Sequence, residues 1–126
     1  MASVKQVQIT FDCADPARVA RFWAEALGYV APASNGPGAA AYDPTGAGPR
    51  LYFQQVPEGK TVKNRVHLDV RVGTGLVGEE RLAALEAEAV RLVALGAVRG
   101  RLLLADEENE SCQNMQDIEG NEFCLD

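Results

Sequence analysis

The chain has 126 residues, 47% of them hydrophobic and 24% charged, with a formal net charge of −6. That composition suits one soluble domain with a real core and argues against disorder, while 12 scattered Lys and Arg provide no basic patch to track phosphates, so nucleic acid is not an expected partner. No apolar run approaches a membrane span, and Met1-Ala2-Ser3-Val4-Lys5 lacks the apolar stretch of a signal peptide, so the expectation is a cytoplasmic protein that does not bind membranes.

The first predicted strand runs over about 5–12. Val7, Ile9 and Phe11 alternate with Gln8, Thr10 and Asp12, the period-two pattern of a half-buried strand. Asp15-Pro16 opens a helix, because Asp15 can cap free N–H groups and Pro16 suits the first helical position. Val19, Phe22, Trp23, Ala26 and Leu27 make its apolar stripe, and Gly28 ends it. Short strands are predicted over 29–33, 39–42 and 50–55. They are separated by the turn sequences Asn35-Gly36-Pro37-Gly38 and Asp43-Pro44-Thr45-Gly46.

Val56-Pro57-Glu58-Gly59-Lys60 reads as a link between halves. A strand over 64–72 follows, with Val66, Leu68 and Val70 on one face. A helix is predicted over 79–95, burying Leu82, Leu85, Ala89, Leu92 and Val93, with Gly96 as its stop. Strands over 97–104, 112–117 and 121–125 complete the chain, and the acidic segment 106–110 reads as a solvated loop. The three cysteines, Cys13, Cys112 and Cys124, form no CxxC pair, and an odd count fits reduced thiols.

The same order therefore occurs twice: strand, helix, then three strands. Val7–Asp12 matches Val66–Arg71, Ala26-Leu27-Gly28 matches Ala94-Leu95-Gly96, and Asp43-Pro44-Thr45-Gly46 matches Asp117-Ile118-Glu119-Gly120. A single α+β domain over 1–126 is expected, made of one module over about 4–56 and another over about 64–126. The duplication pairs Gln8 with His67, the only histidine, and points to a site shared between the halves. Aligning Gly48 with Gly120 treats Ala47-Gly48 as an insertion and pairs Arg50 with Glu122 and Tyr52 with Cys124. Anchoring on Gly46 instead pairs Arg50 with Cys124, without changing which face is polar. Gln8, Thr10, Arg50, Tyr52, His67, Asp69, Glu122 and Cys124 thus gather on the polar faces. One face of an antiparallel sheet is ordinarily polar, but matched positions in two halves favour a ligand-lined surface.

Three stretches carry a resemblance. They are Phe11–Pro16 continuing into Ala20-Arg21-Phe22-Trp23 and Leu27-Gly28-Tyr29, then Asn64–Val70, then Asp117–Leu125. They resemble the vicinal oxygen chelate superfamily of glyoxalase I, bleomycin-resistance proteins and extradiol dioxygenases, and most closely its glyoxalase-like domains. The resemblance implies two βαβββ modules curled around a cavity, commonly completed as a homodimer. It also implies a divalent cation held by His or Gln on each first strand and Glu on each last strand. Gln8 and His67 match the first-strand positions. The last-strand positions fall on Tyr52 and Cys124, neither of them a carboxylate, and this departure counts against glyoxalase I activity itself. Glu122 lies on the same face as Cys124, so a metal set of Gln8, His67, Glu122 and Cys124 is the candidate for zinc, nickel, manganese or iron.

Two functions follow. One is a lyase, isomerase or dioxygenase acting on a small organic molecule, with His67 as acid or base and Gln8, Thr10, Arg50, Tyr52, Asp69 and Cys124 binding substrate. The other is a metal-independent protein that binds or sequesters a small molecule, as bleomycin-resistance relatives do.

Overall fold

The computed structural model describes residues 2–126. The chain divides into two compact units, Met1–Gly59 and Lys60–Asp126. In the first, the elements are β1 (Gln8–Cys13), α1 (Pro16–Leu27), β2 (Gly38–Ala41) and β3 (Arg50–Gln55). β1 lies parallel to β3, which pairs antiparallel with β2 on its other edge.

α1 has the ends its sequence requires. Asp15 accepts a hydrogen bond from the Arg18 N–H at 3.3 Å, and Pro16 begins the first turn. Gly28 adopts φ 71°, the left-handed conformation glycine tolerates best, and returns its N–H to Ala24 O. Val19, Phe22, Trp23 and Ala26 are buried, as are Ala39 and Ala41 on β2 and Leu51 and Phe53 on β3. Phe11 joins them through ring contacts with Trp23 (5.4 Å between centroids) and Phe53 (5.2 Å).

The strand expected over 29–33 is absent. Only the Val30–Tyr42 bridge forms, with reciprocal backbone bonds of 2.9 Å. Pro32 has no N–H to continue the ladder, which accounts for its end there.

The second unit holds β4 (Leu68–Val70), α2 (Gly78–Ala94), β5 (Val98–Leu103), β6 (Cys112–Gln116) and β7 (Glu122–Leu125), in the sheet order β4-β7-β6-β5. β4 and β7 are parallel and the other pairs antiparallel. β4 is much shorter than the 64–72 expected, and Val66 is 79% exposed rather than on the core face. Its single partner, β7, spans only four residues. Beyond it the chain is tied by other bonds: Asn64 Nδ2 donates to Glu122 O, and the Val72 and Gly73 N–H groups donate to Asp126 O.

α2 buries Arg81, Leu85, Ala89 and Leu92. Leu82 is half-buried and Val93 exposed, so the stripe is rotated from the one expected. Arg81 was not foreseen in it. Its Nε donates to Ser111 O at 3.0 Å and its Nη1 to Gly73 O at 2.9 Å, so the guanidinium stitches two loops to the helix while its stem packs.

The duplication is visible bond by bond. Gly46 N–H donates to Asp43 O and Gly120 N–H to Asp117 O, each at 3.0 Å, and both glycines have positive φ (78° and 89°). Each aspartate carboxylate also collects donors from its own turn. Asp43 takes the Thr45 hydroxyl and the Thr45 and Gly48 N–H groups. Those bonds hold its carboxyl below the ordinary carboxylate range, the Thr45 hydroxyl contributing most. The register pairs Gln8 with Arg50 and Thr10 with Tyr52, and in the second unit Asp69 with Cys124. Arg50 therefore corresponds to Glu122 and Tyr52 to Cys124, with Ala47-Gly48 inserted after an otherwise equivalent turn. Among the described residues, no helix is long and apolar enough to cross a membrane.

Candidate functional site

Each unit is described by itself. In the first, strand alternation puts Gln8 and Thr10 of β1 beside Arg50 and Tyr52 of β3, opposite the face that buries Leu51 and Phe53. Arg50 Nη1 donates to Gln8 Oε1, and Gln8 Nε2 reaches Thr10 Oγ1 at 3.4 Å. The Arg50 guanidinium also sits 5.4 Å from the centre of the Tyr52 ring, a cation–π distance. Gly38 makes that ring position available: a Cβ there would fall 1.9 Å from the Tyr52 hydroxyl. The side-chain oxygen that Gln8 could offer a metal is thus already held by a cation.

In the second unit, His67, just before β4, and residues of β4, β6 and β7 (Asp69, Cys112, Asn114, Glu122 and Cys124) line a concavity of about 570 Å³. His67 Nδ1 lies 2.9 Å from Asp69 Oδ1, and both side chains are nearly half exposed (43% and 47%), open to a ligand. Cys124 donates its thiol to Asn114 Oδ1 at 3.2 Å. Burial first, then the nearby Cys112, Asp69 and Asp126, push the Cys124 thiol up to about 11.

Glu122 has a different assignment. Its carboxylate takes Lys60 Nζ at 2.9 Å and the Asn64 N–H at 3.3 Å. Burial alone would raise its carboxyl, but the Lys60 and Asn64 bonds hold it below its ordinary value.

A divalent ion needs several donors that converge. Among the described residues, His67, Asp69 and Cys124 offer one ligand atom each, all within 4.8 Å of one another. Imidazole, carboxylate and thiol are the donor types of a zinc-class ion, whereas manganese favours an oxygen-rich octahedral shell. The residues present in this unit therefore fit a zinc-class ion. Asp69 stands here where Glu122 was expected among the ligands, because Lys60 and Asn64 occupy Glu122.

Sequence reasoning missed Asn114, Cys112 and Lys60 at this face. Asn114 and Cys112 alternate with the buried Gln113 and Met115, which was a readable signal. Lys60 lay in the segment read as a linker, and nothing local marks it as the partner of Glu122.

These arrangements define a class, and the comparisons agree with it. The chain matches the model of the glyoxalase-like domain over residues 8–125 and belongs to that family, within the vicinal oxygen chelate superfamily. No curated protein matches it. Among solved structures it is similar to the fosfomycin-resistance protein FosX of Listeria monocytogenes, solved with Mn(II) and 1S,2S-dihydroxypropylphosphonic acid. That match has 14% identity and a TM-score of 0.72 over 99% of this chain and 90% of the other. A glyoxalase/bleomycin resistance protein/dioxygenase family enzyme of Burkholderia phytofirmans PsJN matches at 12% identity and TM-score 0.70, over 94% of each chain. The oxidase ChaP-H2 matches at 17% identity and TM-score 0.59, over 98% of this chain and 93% of the other. Identities this low carry the fold, not the reaction.

Proposed function

We propose that this glyoxalase-like domain acts on a small organic molecule in the concavity of its second unit, as a lyase, isomerase or dioxygenase, with His67 as the group that moves a proton. The observation that supports this is the 2.9 Å contact between His67 Nδ1 and Asp69 Oδ1 in an open concavity. Asp69 at that distance is placed to orient the ring by taking Nδ1–H, which would leave Nε2 as the proton acceptor. The neighbours solved as FosX and as an oxidase support small-molecule chemistry on this fold.

The test is a thermal-shift screen of small organic acids, phosphonates, epoxides and catechols, followed by turnover assays of each stabilising compound. The wild type is expected to convert at least one of them, and His67→Ala to do so about 10²–10⁴-fold more slowly. A compound that stabilises both proteins and is converted by neither would replace this reading with metal-independent sequestration. That alternative draws support from Gln8 and Glu122, whose oxygens are held by Arg50 and Lys60.

A divalent ion is the second reading, favoured by the convergence of His67, Asp69 and Cys124. Held by these three donors with its fourth position left to a ligand, such an ion would supply Lewis-acid polarisation of that ligand's oxygen.

A homodimer is also proposed. Edge strand β5 is exposed along its length, and Val98, Leu102 and Leu103 on it, with the adjoining Leu104, present apolar surface to solvent. Light scattering should give twice the 13.5 kDa chain mass, and a mass of 13.5 kDa would refute it.

A further inference from the structure

We propose that Cys112 is the fourth donor of a closed, thiol-bearing site for a zinc-class ion in the second unit, together with His67, Asp69 and Cys124. This rests on the reading that an ion binds the last three, and it adds the occupant of the ion's fourth position.

The strand register carries the argument. β6 and β7 pair Asn114 with Cys124 and Gln113 with Leu125. Cys112 and Asn114 share one face of β6, and Cys124 occupies the same face of β7, because the intervening Gln113, Met115, Phe123 and Leu125 are buried. Cys112 and Cys124 are thus diagonal neighbours across adjacent strands. Both line the concavity that holds His67 and Asp69. The chain's third cysteine, Cys13, is buried in the first unit.

Burial and the carboxylates of Asp126 and Asp69 raise the Cys112 thiol, and Arg81 offsets part of that effect. Cys124 is raised by burial, Cys112 and the same two carboxylates, against Lys63. Each ligating thiol would bind the cation after releasing its proton to solvent. The Cys112 sulfur is not among the three ligand atoms that converge within 4.8 Å, so closing the site requires its side chain to turn to another rotamer.

Two sulfurs, one imidazole and one carboxylate complete a tetrahedron. An ion so enclosed has no open position for substrate and holds His67 as a ligand. Loading the site would therefore withdraw His67 from proton transfer, making the ion a brake rather than a cofactor.

The test uses the full chain, reduced and free of metal, titrated with Co(II), whose thiolate charge-transfer absorption counts bound sulfurs. Wild type should bind one Co(II) with the absorption of two thiolates, Zn(II) should displace it, and Mn(II) should not. Cys112→Ser and Cys112→Ala, checked for folding by circular dichroism, should each halve the absorption. Each should weaken binding by at least the roughly 10–100-fold that loss of a mere supporting partner costs. Cys13→Ser should leave the spectrum unchanged. Binding with one thiolate, unaltered in both Cys112 variants, would overturn the proposal and leave the three-donor reading standing. Failure of wild type to bind Co(II) or Zn(II) would overturn both.

Discussion

Trp23→Ala is expected to cost the first unit about 3–5 kcal/mol, the range for deleting a large buried aromatic. The indole is 1% exposed on α1. It meets Phe22 edge-on at 5.5 Å between centroids and Phe11 at 5.4 Å, while Phe11 continues to Phe53 on β3. Trp23 therefore links its helix to both parallel strands that carry Gln8, Thr10, Arg50 and Tyr52. Its removal subtracts apolar burial and aromatic contacts, and leaves a cavity that a helix tied at both ends cannot readily close. Urea unfolding followed by circular dichroism is the suitable measurement, since the chain's one tryptophan is lost. Trp23→Phe should fall between the two. A loss below about 1 kcal/mol for Trp23→Ala would mean that the ring cluster does not hold the sheet.

How much of this could be read in advance depended on whether a feature is local. The limits of α1 follow from Asp15-Pro16 and Gly28, which act on their own backbone. β3 was expected over 50–55 and forms over Arg50–Gln55, because its alternation is undisturbed. Features that need a distant partner were harder. β4 is short because β7 is short, and Val66 is apolar yet exposed. Arg81 is buried because Ser111 and Gly73 offer carbonyls from two separate loops.

The site divides in the same way. The matched positions of Gln8 and His67 stood out in the sequence, and so did Asp69, two residues from His67 on the same face. Arg50 on Gln8 depends on the strand register and on the side-chain rotamers chosen within it. Lys60 on Glu122 spans 62 positions, beyond any local pattern. A single sequence shows which face a side chain occupies more readily than which neighbour it meets there.

Asp117→Ala is the second large effect expected, about 2–4 kcal/mol in the second unit. The residue is 1% exposed. Its carboxylate accepts from the Glu119 and Asn121 N–H groups, each at 2.9 Å, and both of its oxygens receive the Asn121 side-chain amide. Alanine leaves those donors without their acceptor in a part-buried turn, where water replaces it poorly. Asp117→Asn keeps one carbonyl oxygen but sets an amide against the Asn121 amide, so it should lie between alanine and wild type. Asp43→Ala, the equivalent change in the first unit, should cost less, because that turn is more open to water. Equal losses for the two alanine variants would refute the argument from burial. The consequence reaches the candidate site, because this turn starts β7. Asp117 N–H also donates to Asn121 O at 2.8 Å, so the turn fixes where Glu122 enters the sheet. A slip of one residue there would turn Cys124 toward the core and Phe123 toward the concavity. In the Asp117→Ala protein, Cys124 should therefore react with iodoacetamide at a changed rate even under conditions where the fold persists.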